Sequence, residues 1–132
     1  MAKKIDPIAV GILGYGRAGR GMQAQELKTR QDRFRIAAVC DQLPERREQA
    51  KAEHGCKTYA RVEELLADPE IELVSVATRS CDHFKHAMMA LKAGKIVFQE
   101  KPMTTTFAEA KKLRAEAARH HDALFVRHNR RF

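Results

Sequence analysis

Short apolar runs alternate along the whole chain with stretches whose apolar positions recur every three or four residues. The runs cover residues 8–13, 34–40, 57–59, 72–77, 96–99 and 123–127, each of strand length and rich in β-branched or other apolar side chains. Between them the spacing predicts helices over about 17–29, 44–54, 62–67, 83–93 and 107–121. Asp82 is placed to cap the fourth helix and Gly94 to end it, while Thr106 and Glu109 stand at capping-box spacing ahead of the fifth. Strands that are apolar on consecutive positions need cover on both faces, and helices separate nearly all of them. The pattern therefore predicts an α/β fold, a doubly wound, mostly parallel sheet of about six strands with helices on both faces, in a single domain over residues 1–132.

Composition narrows the class without changing the fold. Hydrophobic residues make up 44% and charged ones 32% of 132 residues, the balance of a globular protein. No apolar stretch approaches the ~20 residues of a membrane span, which argues against a membrane partner. The opening Met1-Ala2-Lys3-Lys4 leads into no signal-peptide core, so a cytoplasmic protein is expected. Cys40, Cys56 and Cys81 have neither zinc-ribbon nor CxxC spacing and read as reduced thiols. The formal charge of +8 is spread over helices with acidic neighbours, a pattern of solvated faces. That argues against nucleic acid as a partner and is compatible with an anionic cofactor.

The first strand runs into Gly14-Tyr15-Gly16-Arg17-Ala18-Gly19, a G-x-G-x-x-G match that closes a strand and opens a helix. In that setting Gly14 permits the tight turn, Gly16 admits a pyrophosphate to the backbone, and Gly19 lets helix and strand pack closely. The anion would sit on the helix N-terminus, with Arg17 available for a charge contact. Gly21 has no assigned role. Asp41 ends the second strand 22 residues beyond Gly19, where a carboxylate holds the adenosine ribose hydroxyls, and Gln42 follows it. A carboxylate there disfavours a 2′-phosphate, so the expected cofactor is NAD in preference to NADP. Arg46 and Arg47 pull the other way. A doubly wound sheet binds its ligand beyond the carboxyl ends of its strands, so the segments after strands four and five should line the same cleft.

Those segments carry a family resemblance. Ala77-Thr78, His83, Ala93-Gly94-Lys95 and Glu100-Lys101-Pro102 occur in the order and spacing of the glucose-fructose oxidoreductase/inositol dehydrogenase/rhizopine catabolism family (Gfo/Idh/MocA). Residues 62–71 and the ending Asn129-Arg130-Arg131-Phe132 also resemble it, so the likeness covers nearly the whole chain. Two positions depart from the family pattern: Arg79 replaces a proline, and Ser80-Cys81 replaces an asparagine region.

The resemblance implies the NAD(P)-binding Rossmann domain of a dehydrogenase. It implies cofactor contacts from the glycine loop, Asp41, Gln42, Ala77, Thr78, Arg79, His83 and the segment Glu100, Lys101 and Pro102. Lys101 would hydrogen-bond the reacting hydroxyl of a polyol, sugar or cyclitol, and Glu100 would orient it or touch the cofactor ribose. A cis Lys101–Pro102 bond is also implied. The family's second domain, which completes the substrate pocket, supplies a catalytic histidine and supports oligomerisation, has no counterpart in residues 1–132. A stand-alone NAD-binding module, or a CoA-binding Rossmann domain, is the competing expectation. Cys81, His83 and His86 lie close in sequence but offer no fourth ligand, so no metal site is expected.

Overall fold

The computed structural model of the chain describes residues 4–128. The ending at residues 129–132 that resembles the family lies outside them. In chain order the strands are β1 (Ile8–Leu13), β2 (Phe34–Cys40), β3 (Lys57–Tyr59), β4 (Leu73–Val76), β5 (Ile96–Glu100) and β6 (Leu124–Arg127). The helices are α1 (Ala24–Lys28), α2 (Pro44–His54), α3 (Val62–Leu66), α4 (His83–Lys92) and α5 (Phe107–Ala118). All six strands are parallel, in the order β3-β2-β1-β4-β5-β6. The connection after β3 returns to the far side of β1, so the winding reverses between β1 and β4 and opens a crevice at their carboxyl ends.

The sheet separates two cores. One holds Ala9, Leu13, Val74, Val76 and Val97 from the strands against Leu65, Leu91 and Leu113 from α3, α4 and α5. The other packs Val10, Ile12 and Val39 against Ala24 and Ala50, from α1 and α2. Gly11 lies where a β-carbon would meet Leu65 Cδ2 at 2.8 Å, so its bareness lets α3 settle onto β1. The β1–β2 register slips by one residue beside it, between Val10 and Gly11.

Three local expectations are revised. The first helix is not uniformly α: Gly19–Gln23 is a π turn, with the Ala24 amide bonded to Gly19 O, and α1 continues from it. Asp82 makes no cap hydrogen bond, because its carboxylate accepts from Arg79 Nε at 3.2 Å and a 3-10 turn over Ser80–Asp82 precedes α4. Thr106 does cap α5, its Oγ1 accepting from the Glu109 amide at 3.1 Å. The Glu109 carboxylate completes no reciprocal box there, since it accepts from Thr105 Oγ1 at 3.0 Å. The Lys101–Pro102 peptide is cis.

Candidate cofactor site

A cleft of about 860 Å³ opens at the carboxyl ends of β1, β2 and β4, and the glycine loop forms its floor. Gly14 adopts φ +90°, and a β-carbon on it would lie 2.8 Å from Ala77 O. Only glycine satisfies both the backbone conformation and the close approach of the loop after β4. The Gly14 amide donates to Cys40 O at 2.8 Å and the Ala77 amide to Leu13 O at 2.8 Å, which fixes the three strand ends together. Gly19 is tighter still: a β-carbon would fall 1.8 Å from Gly14 O.

Asp41 stands across the loop, with 8% of its surface exposed. One carboxylate oxygen accepts from the Leu43 amide at 2.9 Å, and the other from the Tyr15 amide at 2.8 Å. A carboxylate oxygen accepts about two hydrogen bonds, so Oδ1 retains capacity for a hydroxyl donor. The Arg46 guanidinium reaches Asp41 Oδ2 at 3.4 Å and lies 3.3 Å from the β-carbon position of Gly16. It therefore reaches both the Asp41 carboxylate and the backbone of the glycine loop at Gly16. Arg47 is committed elsewhere, donating to Asp41 O and Gln42 O, each at 2.9 Å. Cationic side chains outnumber acidic ones around the cleft, with Arg17, Arg46, Arg61, Arg79 and Lys85 against Asp41, Glu63 and Asp82. The glycine floor, the unpaired first amides of the helix and this charge balance fit a dinucleotide pyrophosphate.

Most of the expected residues meet here: Gly14, Gly16, Arg17, Ala18, Asp41, Gln42, Ala77, Thr78 and Arg79 all border the cleft. Tyr15 turns the other way. Its ring is buried at 1% exposure, and its hydroxyl lies 3.0 Å from Glu53 Oε2 and 2.7 Å from His54 Nε2. Burial and the Glu53 carboxylate push its phenol up, so it serves as a neutral strut between the loop and α2. His83 is also buried, with ring nitrogens 2.8 Å from Pro102 O and 2.9 Å from Thr78 O. It ties the loop after β4 to the loop after β5, so it acts through the backbone of both.

Glu100 is held by groups from two other elements. Its carboxylate accepts from Gln23 Nε2 at 3.0 Å and lies 3.4 Å from Arg127 NH1, at 6% exposure. Lys101 and Pro102 are exposed beside it and lie outside the cleft lining.

Sequence reasoning missed one wall. Asp82, just ahead of α4, and Lys85, His86 and Met89 on it line the cleft. Their i, i+3, i+4, i+7 spacing was a legible helical face, obscured by pairing His83 with His86 instead. His86 Nδ1 lies 2.9 Å from Thr78 Oγ1, and burial lowers the imidazole from its ordinary range, which favours the neutral ring. Lys95 was also missed as a structural group: its buried ammonium donates to Asp68 O and Ile71 O at 3.0 and 2.7 Å. Cys40 borders the cleft, but burial pushes its thiol up to about 12, so it offers no thiolate nucleophile.

Fold and site together define a Rossmann domain that binds a nicotinamide dinucleotide. The oxidoreductase family with an NAD-binding Rossmann fold, Gfo/Idh/MocA, matches residues 8–128, and the chain belongs to it. The scyllo-inositol 2-dehydrogenase (NADP(+)) IolW of Bacillus subtilis is 38% identical over 98% of this chain and 36% of its own length. The crystal structure of Synechocystis biliverdin reductase with biliverdin and NADP+ is 30% identical with a TM-score of 0.84, covering 92% of this chain and 38% of that one. That of GenD2 from gentamicin A biosynthesis, in complex with NAD, is 25% identical with a TM-score of 0.83, covering 95% and 35%. The chain thus spans little more than a third of the length of the relatives it matches.

Proposed function

We propose that this domain is the cofactor-holding part of a dehydrogenase that moves hydride between the nicotinamide ring and a carbon of a polyol, sugar or cyclitol. The observation that carries the cofactor reading is the closure of Gly14, Gly19 and Asp41 into one cradle, with Arg46 above it. Bound there, the dinucleotide would supply the hydride acceptor. The glycine loop would hold the pyrophosphate and Asp41 the adenosine ribose. Lys101 would offer its ammonium to the reacting hydroxyl, stabilising developing alkoxide charge or relaying its proton. The substrate class rests on the family and on relatives such as the inositol dehydrogenase. Three thiols without disulfide partners suit a reducing compartment such as the cytoplasm.

NAD is the preferred cofactor on this reading, because a 2′-phosphate would meet the Asp41 carboxylate at close range. Calorimetric titration should show NAD binding several-fold more tightly than NADP, with Asp41→Asn narrowing the gap and Arg46→Ala widening it. Equal or tighter binding of NADP would overturn the preference and make Arg46 the dominant group.

Chemistry requires a second wall. Lys101 is exposed here, where a charge is worth far less to a transition state than in a closed site. The 132-residue chain should therefore bind the cofactor and turn over no substrate. Incubation with NAD and a panel of polyols, aldoses and inositols, followed by NADH absorbance, tests this. Turnover above that of a Lys101→Ala control would mean that the chain builds a complete site by itself or by self-association.

A further inference from the structure

The helix that the glycine loop opens passes through a π turn over Gly19–Gln23, closed by the Ala24 amide on Gly19 O. A π turn bonds residue i to i+5 and so holds one residue more than the α turn it replaces. At about 100° of rotation per residue, that extra residue decides which way the side chains after it point. Gly21 lies inside the turn, and a β-carbon there would meet nothing within 4 Å.

What the turn aims is Gln23. Its side chain is 1% exposed, and its Nε2 donates to Glu100 Oε1 at 3.0 Å. Among the described residues this is the one hydrogen bond to that carboxylate, since Arg127 NH1 stands 3.4 Å away and makes none. A carboxylate 6% exposed is costly to bury without donors, so Glu100 depends on the Gln23 amide. Three residues further along, Glu26 binds the Arg127 guanidinium, and Arg127 pairs in register with Glu100 across β5 and β6. Gln23 and Glu26 thus link the glycine-loop helix to partners 77 and 101 residues away.

Lys101 follows Glu100 directly. On its far side Pro102 O lies 2.8 Å from His83 Nδ1, and Met103 O accepts from Gln99 Nε2 at 2.7 Å. Lys101 therefore stands between anchored neighbours while it is itself exposed. The Glu100 anchor is the one that leads to the glycine loop.

We propose that Gln23 is a positioning residue for Lys101. Aimed by the π turn, its amide fixes Glu100, and with it the end of β5, against the helix that carries the glycine loop. The task of Lys101 rests on the dehydrogenase reading above, whereas the link to it involves no contact with the cofactor. An ammonium that must meet a reacting hydroxyl gains from such fixing, because small misplacements cost much of the rate. The same link makes occupancy of the glycine loop felt at Lys101.

Backbone 15N relaxation of the ligand-free chain tests the link. Lys101 and Met103 should have order parameters near the ~0.85 of rigid backbone in the native chain and below about 0.6 in Gln23→Met, which removes the donor at similar side-chain length. Val97, within β5, should stay rigid in both. Exchanging the pair as Gln23→Glu with Glu100→Gln returns one donor and one acceptor and should restore the order. Deleting Gly21, which converts the π turn to an α turn, should loosen Lys101 as Gln23→Met does, and Gly21→Ala should not. A rigid Lys101 in Gln23→Met or in the folded deletion variant, or no recovery on exchange, would overturn the proposal. ADP then reads the coupling. It carries the adenosine and the pyrophosphate but neither the second ribose nor the nicotinamide, so a shift of the Lys101 amide on titration has to travel through the protein. That shift should shrink roughly threefold or more in Gln23→Met, with ADP affinity little changed. An equal shift in both would also overturn the proposal. No binding of ADP to either would count against the dinucleotide cradle instead, with the ligand-free comparison still deciding the role of Gln23.

Discussion

Gly19 and Gly21, two residues apart, show how much a single β-carbon decides. A methyl on Gly19 would fall 1.8 Å from the Gly14 carbonyl, whereas one on Gly21 meets nothing within 4 Å. Gly19→Ala should cost ~1–3 kcal/mol, the usual penalty of overpacking, and should abolish dinucleotide binding at micromolar concentration. Gly21→Ala should be neutral or gain up to about 1 kcal/mol of helix propensity. Urea melts and cofactor titration of both variants check this, and an unaffected Gly19→Ala would undo the packing argument. Asp68 gives a pH-dependent counterpart. The Lys57 ammonium at 2.7 Å holds its carboxyl down to about 2, against the opposing effect of burial, with the Glu70 amide and Tyr59 hydroxyl assisting. A depressed carboxyl stabilises the fold above its unfolded value of about 4, and that stabilisation is lost as pH falls through the folded value. Asp68→Asn should therefore be less stable than the native chain at pH 7, with the difference closing between about pH 4 and pH 2. A constant difference across that range in acid melts would remove the ion pair from the account.

Elements were legible where the cause is local. β1 and β2 follow their apolar runs residue for residue, and Gly55 and Gly94 end or follow helices at φ +61° and +79°, as glycine can. The π turn was not legible, because residues 17–29 carry an ordinary helical pattern. Gln23, which ends that turn, has its hydrogen-bond partner at Glu100, 77 residues away, a tertiary contact that no local period reports. The partners of Glu100 were not legible for the same reason: its motif marks the strand end, but they come from the turn ahead of α1 and from β6. Asp82 failed as a cap because Arg79 competes for its carboxylate. Thr106 succeeded, with an extended backbone at φ −135°, ψ 155° and its oxygen on the Glu109 amide. Thr106→Ala should cost ~1 kcal/mol in a thermal melt, within the range of lost N-caps. Replacement by serine should restore most of it, and equal losses in both variants would point to packing instead of the cap.

At the scale of the whole molecule, the reversal of winding makes the crevice a seam between two halves of one sheet. β1 pairs with β2 over six positions on one side and with β4 over four on the other, and the glycine loop leaves from the strand they share. A dinucleotide held by the loop would touch Asp41 on the first half and Ala77, Thr78 and the α4 face on the second. It should therefore stabilise both halves together. Linkage sets the size: a ligand at 100 times its Kd adds ~2.7 kcal/mol to unfolding. For a domain of this length that corresponds to a rise in melting temperature on the order of 10 °C. Hydrogen exchange gives the spatial test, since a seam-spanning ligand should slow exchange at the carboxyl ends of both β2 and β4, as well as in the glycine loop. Two variants separate the arms. Asp41→Ala should weaken protection mainly on the β2 side, and His86→Ala mainly on the β4 side, each with a smaller melting shift than the native chain at equal cofactor. Protection confined to one half in the native chain would mean that the ligand lies along one wall, and the seam would then play no part in binding.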